Sequence, residues 1–261
     1  MARVVSTRPS SSRPSSSRAS SVARGSSPGG ASTRPPRDAA RGVTKGEETR
    51  SAVLGEAIAQ ASVVGLRGVT IGTLATKAGL SKSGLFAHFR SKESLQLGIL
   101  EEAITRFIAL VIAPSLKEAR GKPRVAALLG AWKRWARSEF MPGGCIFVSA
   151  IAEIDDLEPA VRARLVEAQL DWLDTLAQAI RIAQDEGHFR KDLDATQMAL
   201  EVLSLAYGHH LLGRLLRLSG PASSERTRAP RRTSLAPAEI EARLDRAITR
   251  LFRDAQPRDA R

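Results

Sequence analysis

The chain has 261 residues with 43% hydrophobic content, enough for a real core, and its 40 Lys and Arg against 27 Asp and Glu give a formal charge of +13. A single cysteine, Cys145, excludes an intrachain disulfide and a cysteine-built metal cluster, and fits a reducing cytosol. No run approaches the roughly 18 apolar residues of a membrane span, and residues 1–30 lack a secretory apolar stretch, so no membrane partner is expected.

Residues 1–45 are Ser, Arg, Pro and Gly, with eight arginines and Lys45 against Asp38 alone, a net +8 that leaves only +5 for the remainder. They have too little to bury to offset the entropy of ordering, and a disordered tail is predicted. A phosphate-binding arm and an idle extension both stay open for it. Because this tail dominates the charge, basicity alone says little about the folded part.

From Glu47 the pattern turns helical. Val53, Leu54, Ala57, Ile58 and Ala61 recur at threes and fours, and Gly65 and Gly68 stop this first helix. Thr70 can cap a short second helix from Ile71 to about Lys77, Gly79 supplies a turn, Ser81 caps a third helix, and Ser91 a fourth that continues to about Ile112. Residues 123–139 put Val125, Leu128, Leu129, Trp132 and Trp135 on overlapping faces before Pro142-Gly143-Gly144 breaks the helix. A short helix from about Ile146 to Ile154 precedes a long one whose stripe runs from Val161 through Trp172 to Ala183 and ends at Gly187. Asp194 with Gln197 has the spacing of a capping box and opens a helix to about Leu218. Residues 219–233 read as a polar loop, and Pro237 starts a final helix to about Arg253. The prediction is all-α, with about nine helices.

Two short helices that meet at a steep angle need a small apolar contact. Leu74, Ala75, Leu80, Leu85 and Phe89 are spaced to provide it, around a Gly79 able to take the left-handed turn. Residues 70–89 therefore read as a helix-turn-helix, with Lys82, Ser83, Gly84, Phe86 and Ala87 facing outward toward base edges or phosphates.

Residues 49–106 resemble the N-terminal domain of the TetR family of bacterial regulators. The resemblance rests on the long first helix, Thr70, Ala78-Gly79-Leu80-Ser81-Lys82, and above all the run Phe86-Ala87-His88-Phe89-Arg90-Ser91-Lys92-Glu93-Ser94-Leu95. It implies a three-helix DNA-binding domain at 46–106 and a helical ligand-binding and dimerisation domain at 107–255, with a disordered end at 256–261. The protein implied is a bacterial cytoplasmic, nucleoid-associated regulator, a ligand-responsive repressor that reads a palindromic operator in double-stranded DNA as a homodimer. Its effector is an unknown small molecule, and no metal or cofactor is expected.

The resemblance assigns Lys82, Ser83 and Gly84 to the major groove and Lys92, beside a helix N-terminus, to a phosphate. Thr70, Thr49 and Arg50 are weaker phosphate candidates, Ser81 is counted among the DNA-binding residues, and His88 either packs on the fourth helix or contacts DNA. The family usually has Tyr where this chain has Phe86, which cannot donate to a phosphate but can still pack on sugar or a thymine methyl.

For the second domain, helices 194–218 and 238–253 are the dimer candidates, since a four-helix interface needs two apolar faces per subunit. Trp132, Trp135, Phe140, Cys145, Phe147, Trp172, Met198 and Tyr207 are the side chains that could line an apolar ligand cavity or simply fill the core. The adjacent His209 and His210 point about 100° apart on a helix and cannot share a tetrahedral metal unaided. An enzyme is not expected, because no Gly-rich phosphate loop, zinc-binding His-Glu pattern or nucleophile elbow occurs. The remaining alternative is an architectural nucleic-acid binder driven by the Arg-rich tail.

Overall fold

Residues 45–218 and 237–257 are described by a computed structural model, and every regular element among them is helical. The predicted tail (apart from Lys45), the 219–233 loop and residues 258–261 of the predicted C-terminal end lie outside the described residues.

The chain runs through α1 (Lys45–Gly68), α2 (Ile71–Ala78), α3 (Lys82–His88) and α4 (Lys92–Phe107), which passes through a π turn (Ile108–Ile112) into the three-residue α5 (Ala113–Ser115). Then come α6 (Lys122–Trp135), α7 (Ile146–Ile151), a 3-10 turn (Ile154–Asp156), α8 (Pro159–Asp185), α9 (Ala195–Leu218) and α10 (Pro237–Asp254). With α5 taken as the end of α4, the described residues hold nine helices.

Local chemistry sets most of the boundaries. Thr70, Ser81 and Ser91 each accept a backbone N–H three residues on, capping α2, α3 and α4. Asp194 caps α9 through the N–H groups of Thr196 and Gln197, but the Gln197 amide donates to Glu201, so only half of the expected capping box forms. The first helix does not stop cleanly at its glycines. Its backbone breaks at Gly65 (φ 79°, ψ 166°) and continues for one more turn to Gly68.

The π turn follows from Pro114, which has no N–H for the Leu110 carbonyl and whose ring crowds it. The helix widens just before it, and the Ala113 N–H reaches the Ile108 carbonyl.

The apolar stripe of α1 is at most 2% exposed and packs on α4 through Leu95, Ile99 and Leu100. Burying each such side chain contributes about 1.5–3 kcal/mol. In the second half, α8 packs along α9, and α10 closes over α9 with Ile240, Leu244 and Phe252. Ion pairs from Lys133 to Asp245 and from Arg137 to Glu241 tie α10 back to the end of α6 and the turn after it.

Candidate nucleic-acid interface and ligand cavity

The turn between α2 and α3 is made by Gly79 in the left-handed conformation (φ 66°), whose N–H bonds the Ala75 carbonyl. Leu74, Ala75, Leu85 and Phe89 are buried between the helices, at 0–2% exposure. That contact fixes which way α3 faces. Lys82, Ser83, Phe86 and Ala87 are exposed together, and Gly84 lies half-buried beside them. Phe86 is 51% exposed, a large apolar ring offered to solvent on an otherwise polar face.

The other predicted contacts divide by surroundings. Thr70 and Ser81 are exposed, but their hydroxyl oxygens serve as caps, and the Ser83 hydroxyl is hydrogen-bonded to that of Ser81 at 3.1 Å. Lys92 is exposed at the first position of α4, next to exposed Arg90. A cation is unfavourable beside the positive end of a helix unless an anion offsets it. The Arg50 guanidinium stacks over the Phe89 ring at 4.9 Å, so it covers the domain core. Thr49 and His88 are half-buried, His88 at the end of α3 with its ring 6.5 Å from that of Phe89. Sequence reasoning did not single out Arg90, which shares the exposed corner with Lys92.

The end of α1 is gripped by the rest of the molecule. Arg214 on α9 donates to the Val63 carbonyl and to the Ser149 hydroxyl, both at 2.8 Å. Gln96 donates to the Leu66 carbonyl, and Arg67 pairs with Asp156 at 2.6 Å. The Gly143 N–H donates to the Ser62 hydroxyl, and a Cβ on Gly143 would come within 1.8 Å of the Ser62 carbonyl oxygen. The Gly-Gly break read from the sequence is thus also a close approach of two backbones.

Between α4, α6, α8 and α9 lies a cavity of about 280 Å³. Of the eight candidates named from the sequence, Trp132, Cys145, Phe147, Trp172 and Tyr207 line it. Trp135, Phe140 and Met198 do not. Trp135 stacks behind Phe147 at 6.0 Å, with Phe140 edge-on to it at 5.4 Å, and Met198 is buried on α9. Sequence reasoning missed the wall built by Ile104, Phe107, Ile108 and Ile112 at the end of α4 and in the π turn, and the polar group of Gln169, Asp171 and Thr175. One signal was available: the small Ala168, also in the lining, sits between Leu165 and Trp172 on the stripe of α8.

The polar atoms of the lining are partly spent. Tyr207 donates its hydroxyl to Gln169 Oε1 at 2.7 Å, and Thr175 donates to the Asp171 backbone carbonyl at 2.7 Å. Burial pushes the Cys145 thiol up from its ordinary value, partly offset by hydrogen bonding to the Val148 backbone and the Trp135 side chain. Cys145 is therefore a protonated, weakly nucleophilic lining group. His210 is buried edge-on to Trp132, its ring 6.3 Å away, while His209 is half-buried. Among the described residues no group of three His, Cys, Asp or Glu could hold a metal ion, and no helix is long and apolar enough to cross a membrane.

Two sequence families match this arrangement. Residues 53–98 match the model described as bacterial regulatory proteins, tetR family, and residues 121–229 match the tetracyclin repressor-like C-terminal domain. Together they span more than half of the chain. The protein belongs to the TetR family. It is thus an all-helical, DNA-binding transcription regulator with an N-terminal helix-turn-helix.

Similar TetR-family structures include a regulator from Chloroflexus aurantiacus J-10-FL, 24% identical, with a TM-score of 0.64 over 80% of this chain and 94% of that one. Another, from Cytophaga hutchinsonii, is 20% identical with a TM-score of 0.62 over 83% and 98%. A third, AibR, crystallised with isovaleryl coenzyme A and operator DNA, is 19% identical with a TM-score of 0.55 over 78% and 98%. No curated protein matches the sequence.

Proposed function

We propose that this TetR-family protein is a ligand-responsive repressor that binds a palindromic operator as a homodimer. The observation that carries the reading is the exposed face of α3, where Lys82, Ser83, Phe86 and Ala87 project from a helix anchored by buried Leu85 and Phe89. A short helix held this way can enter the major groove and place its N-terminal residues at base edges. Lys82, Ser83 and Gly84 read bases, Phe86 packs on sugar or a thymine methyl, and Lys92 with Arg90 holds phosphate. Thr49, Arg50, Thr70, Ser81 and His88 support the strand contact or its scaffold.

In this reading residues 46–106 form the DNA-binding domain and residues 107–255 the sensing and dimerisation domain, in a bacterial cytoplasm. α9 supports the dimer with exposed Leu200, Leu211, Leu212 and Leu215. α10 differs from the expectation of a second apolar face: Arg243, Arg246, Arg250 and Arg253 are exposed along it, because its apolar residues are used against α9. Effector enters the cavity among Trp132, Cys145, Phe147, Trp172 and Tyr207. Lys92 and the cavity-lining Phe107 occupy opposite ends of α4, about 22 Å apart at helix rise. A ligand that moves one end of this rod moves the other, and shifts the spacing of the two recognition helices.

The test is selection of binding sites from random DNA by the full chain, followed by footprinting. A two-fold symmetric protected site with steep salt dependence is expected. Uniform binding to all sequences, lost on deleting residues 1–44, would instead establish the tail-driven architectural binder.

A further inference from the structure

We infer that the cavity takes a small lipophilic cation, such as an organic ammonium group carried on an apolar body. The inference rests on the cavity being the effector site and adds the charge of what enters it.

Five aromatic residues, Phe107, Trp132, Phe147, Trp172 and Tyr207, border the cavity from five different helices. Aromatic faces attract a cation through the ring quadrupole, and most strongly where water is excluded. The lining includes no Lys, Arg or His, and its one formally charged member is Asp171. An anionic ligand would be desolvated there with no counter-charge.

Among the neutral polar groups, the Gln169 amide keeps its N–H donors and the buried Trp172 N–H has no hydrogen-bond partner among the described residues, so both can meet an acceptor on the ligand body, but neither carries a charge. The Tyr207 and Thr175 hydroxyl protons are already donated, to Gln169 Oε1 and to the backbone of α8. The carboxylate of Asp171 thus gives the rim a negative charge. The nearest cation along that side of α8, Arg164, is engaged by Glu101 through two hydrogen bonds and by Glu167 through a third. Two carboxylates on one guanidinium, with Asp171 beside them, give this group of charges on α4 and α8 a net negative sign. A volume of about 280 Å³ is close to the lower end of ligand pockets, about 300 Å³, which suits a compact body with one ring.

The experiment compares carbon and nitrogen isosteres on the full chain. Benzyltrimethylammonium, its uncharged isostere 2,2-dimethylpropylbenzene and benzenesulfonate are titrated, with binding read by tryptophan fluorescence and calorimetry. Trp132 and Trp172 in the lining make the emission a local reporter. The cation is expected to bind at least tenfold more tightly than its isostere, with no binding of the sulfonate, and Asp171→Asn is expected to reduce that preference to the part the aromatic rings carry alone. Equal affinity for cation and isostere, or an Asp171→Asn variant whose preference is undiminished, would overturn the charge assignment and leave the cavity as an apolar effector site. Failure of every compound, at concentrations where wild-type chain still binds its selected DNA, would overturn the cavity as a site for ligands of this size while leaving DNA recognition intact.

Discussion

Arg214 reaches from α9 to α1, where its guanidinium donates to the Val63 carbonyl at 2.8 Å, two residues before the break at Gly65. A second N–H of the same group holds Ser149 on α7. Tyr207, in the cavity wall, lies seven residues earlier on α9, two helical turns along the same face. One face of one helix therefore touches both the cavity and the scaffold of the DNA-binding helices. Arg214→Met keeps much of the packing but removes both donors, and is expected to lower unfolding free energy by about 1–3 kcal/mol. Urea denaturation checks this, and unchanged stability would show that the bridge carries no energy.

Gly65 is the companion to that contact. Its φ of 79° and ψ of 166° lie in a region that only glycine occupies without strain, and a Cβ there would stand 1.5 Å from Glu153 Oε1. Gly65→Ala is expected to cost about 1–3 kcal/mol of backbone strain and to push Glu153 off the Arg67 N–H that it accepts at 3.2 Å. Thermal unfolding reads the loss. A variant as stable as wild type would mean that the end of α1 relaxes into ordinary helix.

Lys92 sits at the first position of α4, where a cation without an anion is poorly placed. Lys92→Ala is expected to weaken binding to all DNA sequences alike and to reduce the slope of log affinity against log salt by about one. Fluorescence anisotropy at several salt concentrations measures the slope. An unchanged slope would remove Lys92 from the phosphate contacts.

His209 gives the chain a pH dependence of known sign. Burial, and secondarily the Arg137 guanidinium, hold its pKa below the ordinary 6.5, against the opposing pull of Glu241 and Asp245. As pH falls below 6.5 the unfolded chain takes up this proton before the folded one does. The contribution is therefore whole above pH 6.5 and is lost below it. The melting temperature is expected to fall between pH 7 and pH 5, and His209→Gln is expected to reduce the fall. Identical pH profiles for the two proteins would contradict this.

Helix periodicity and capping residues made the DNA-binding half largely legible: Thr70, Gly79, Ser81 and Ser91 are local signals, each acting within a few residues of itself. The cavity was legible only in part. Trp132, Phe147 and Trp172 are conspicuous in sequence, but whether a large ring lines a void or fills one depends on neighbours far along the chain. Trp135 and Phe147 have similar patterns and end on different sides of the same stack. Ile108 and Ile112 reach the lining from a π turn, whose register periodicity at 3.6 residues does not encode. Likewise Arg214 reads as one more surface arginine on α9, because its partners, Val63 and Ser149, are 151 and 65 residues away.

Whether the outward face of α3 reads bases is measured most directly by the specificity of Lys82→Ala. Full-length wild type and variant are titrated, at one salt concentration, against the selected operator and a scrambled duplex of equal length. The ratio of the two affinities is expected to drop about tenfold or more in the variant, the loss of one good base contact worth about 1–3 kcal/mol, with only a small change on scrambled DNA. A ratio that stays at the wild-type value would place base reading elsewhere on the molecule.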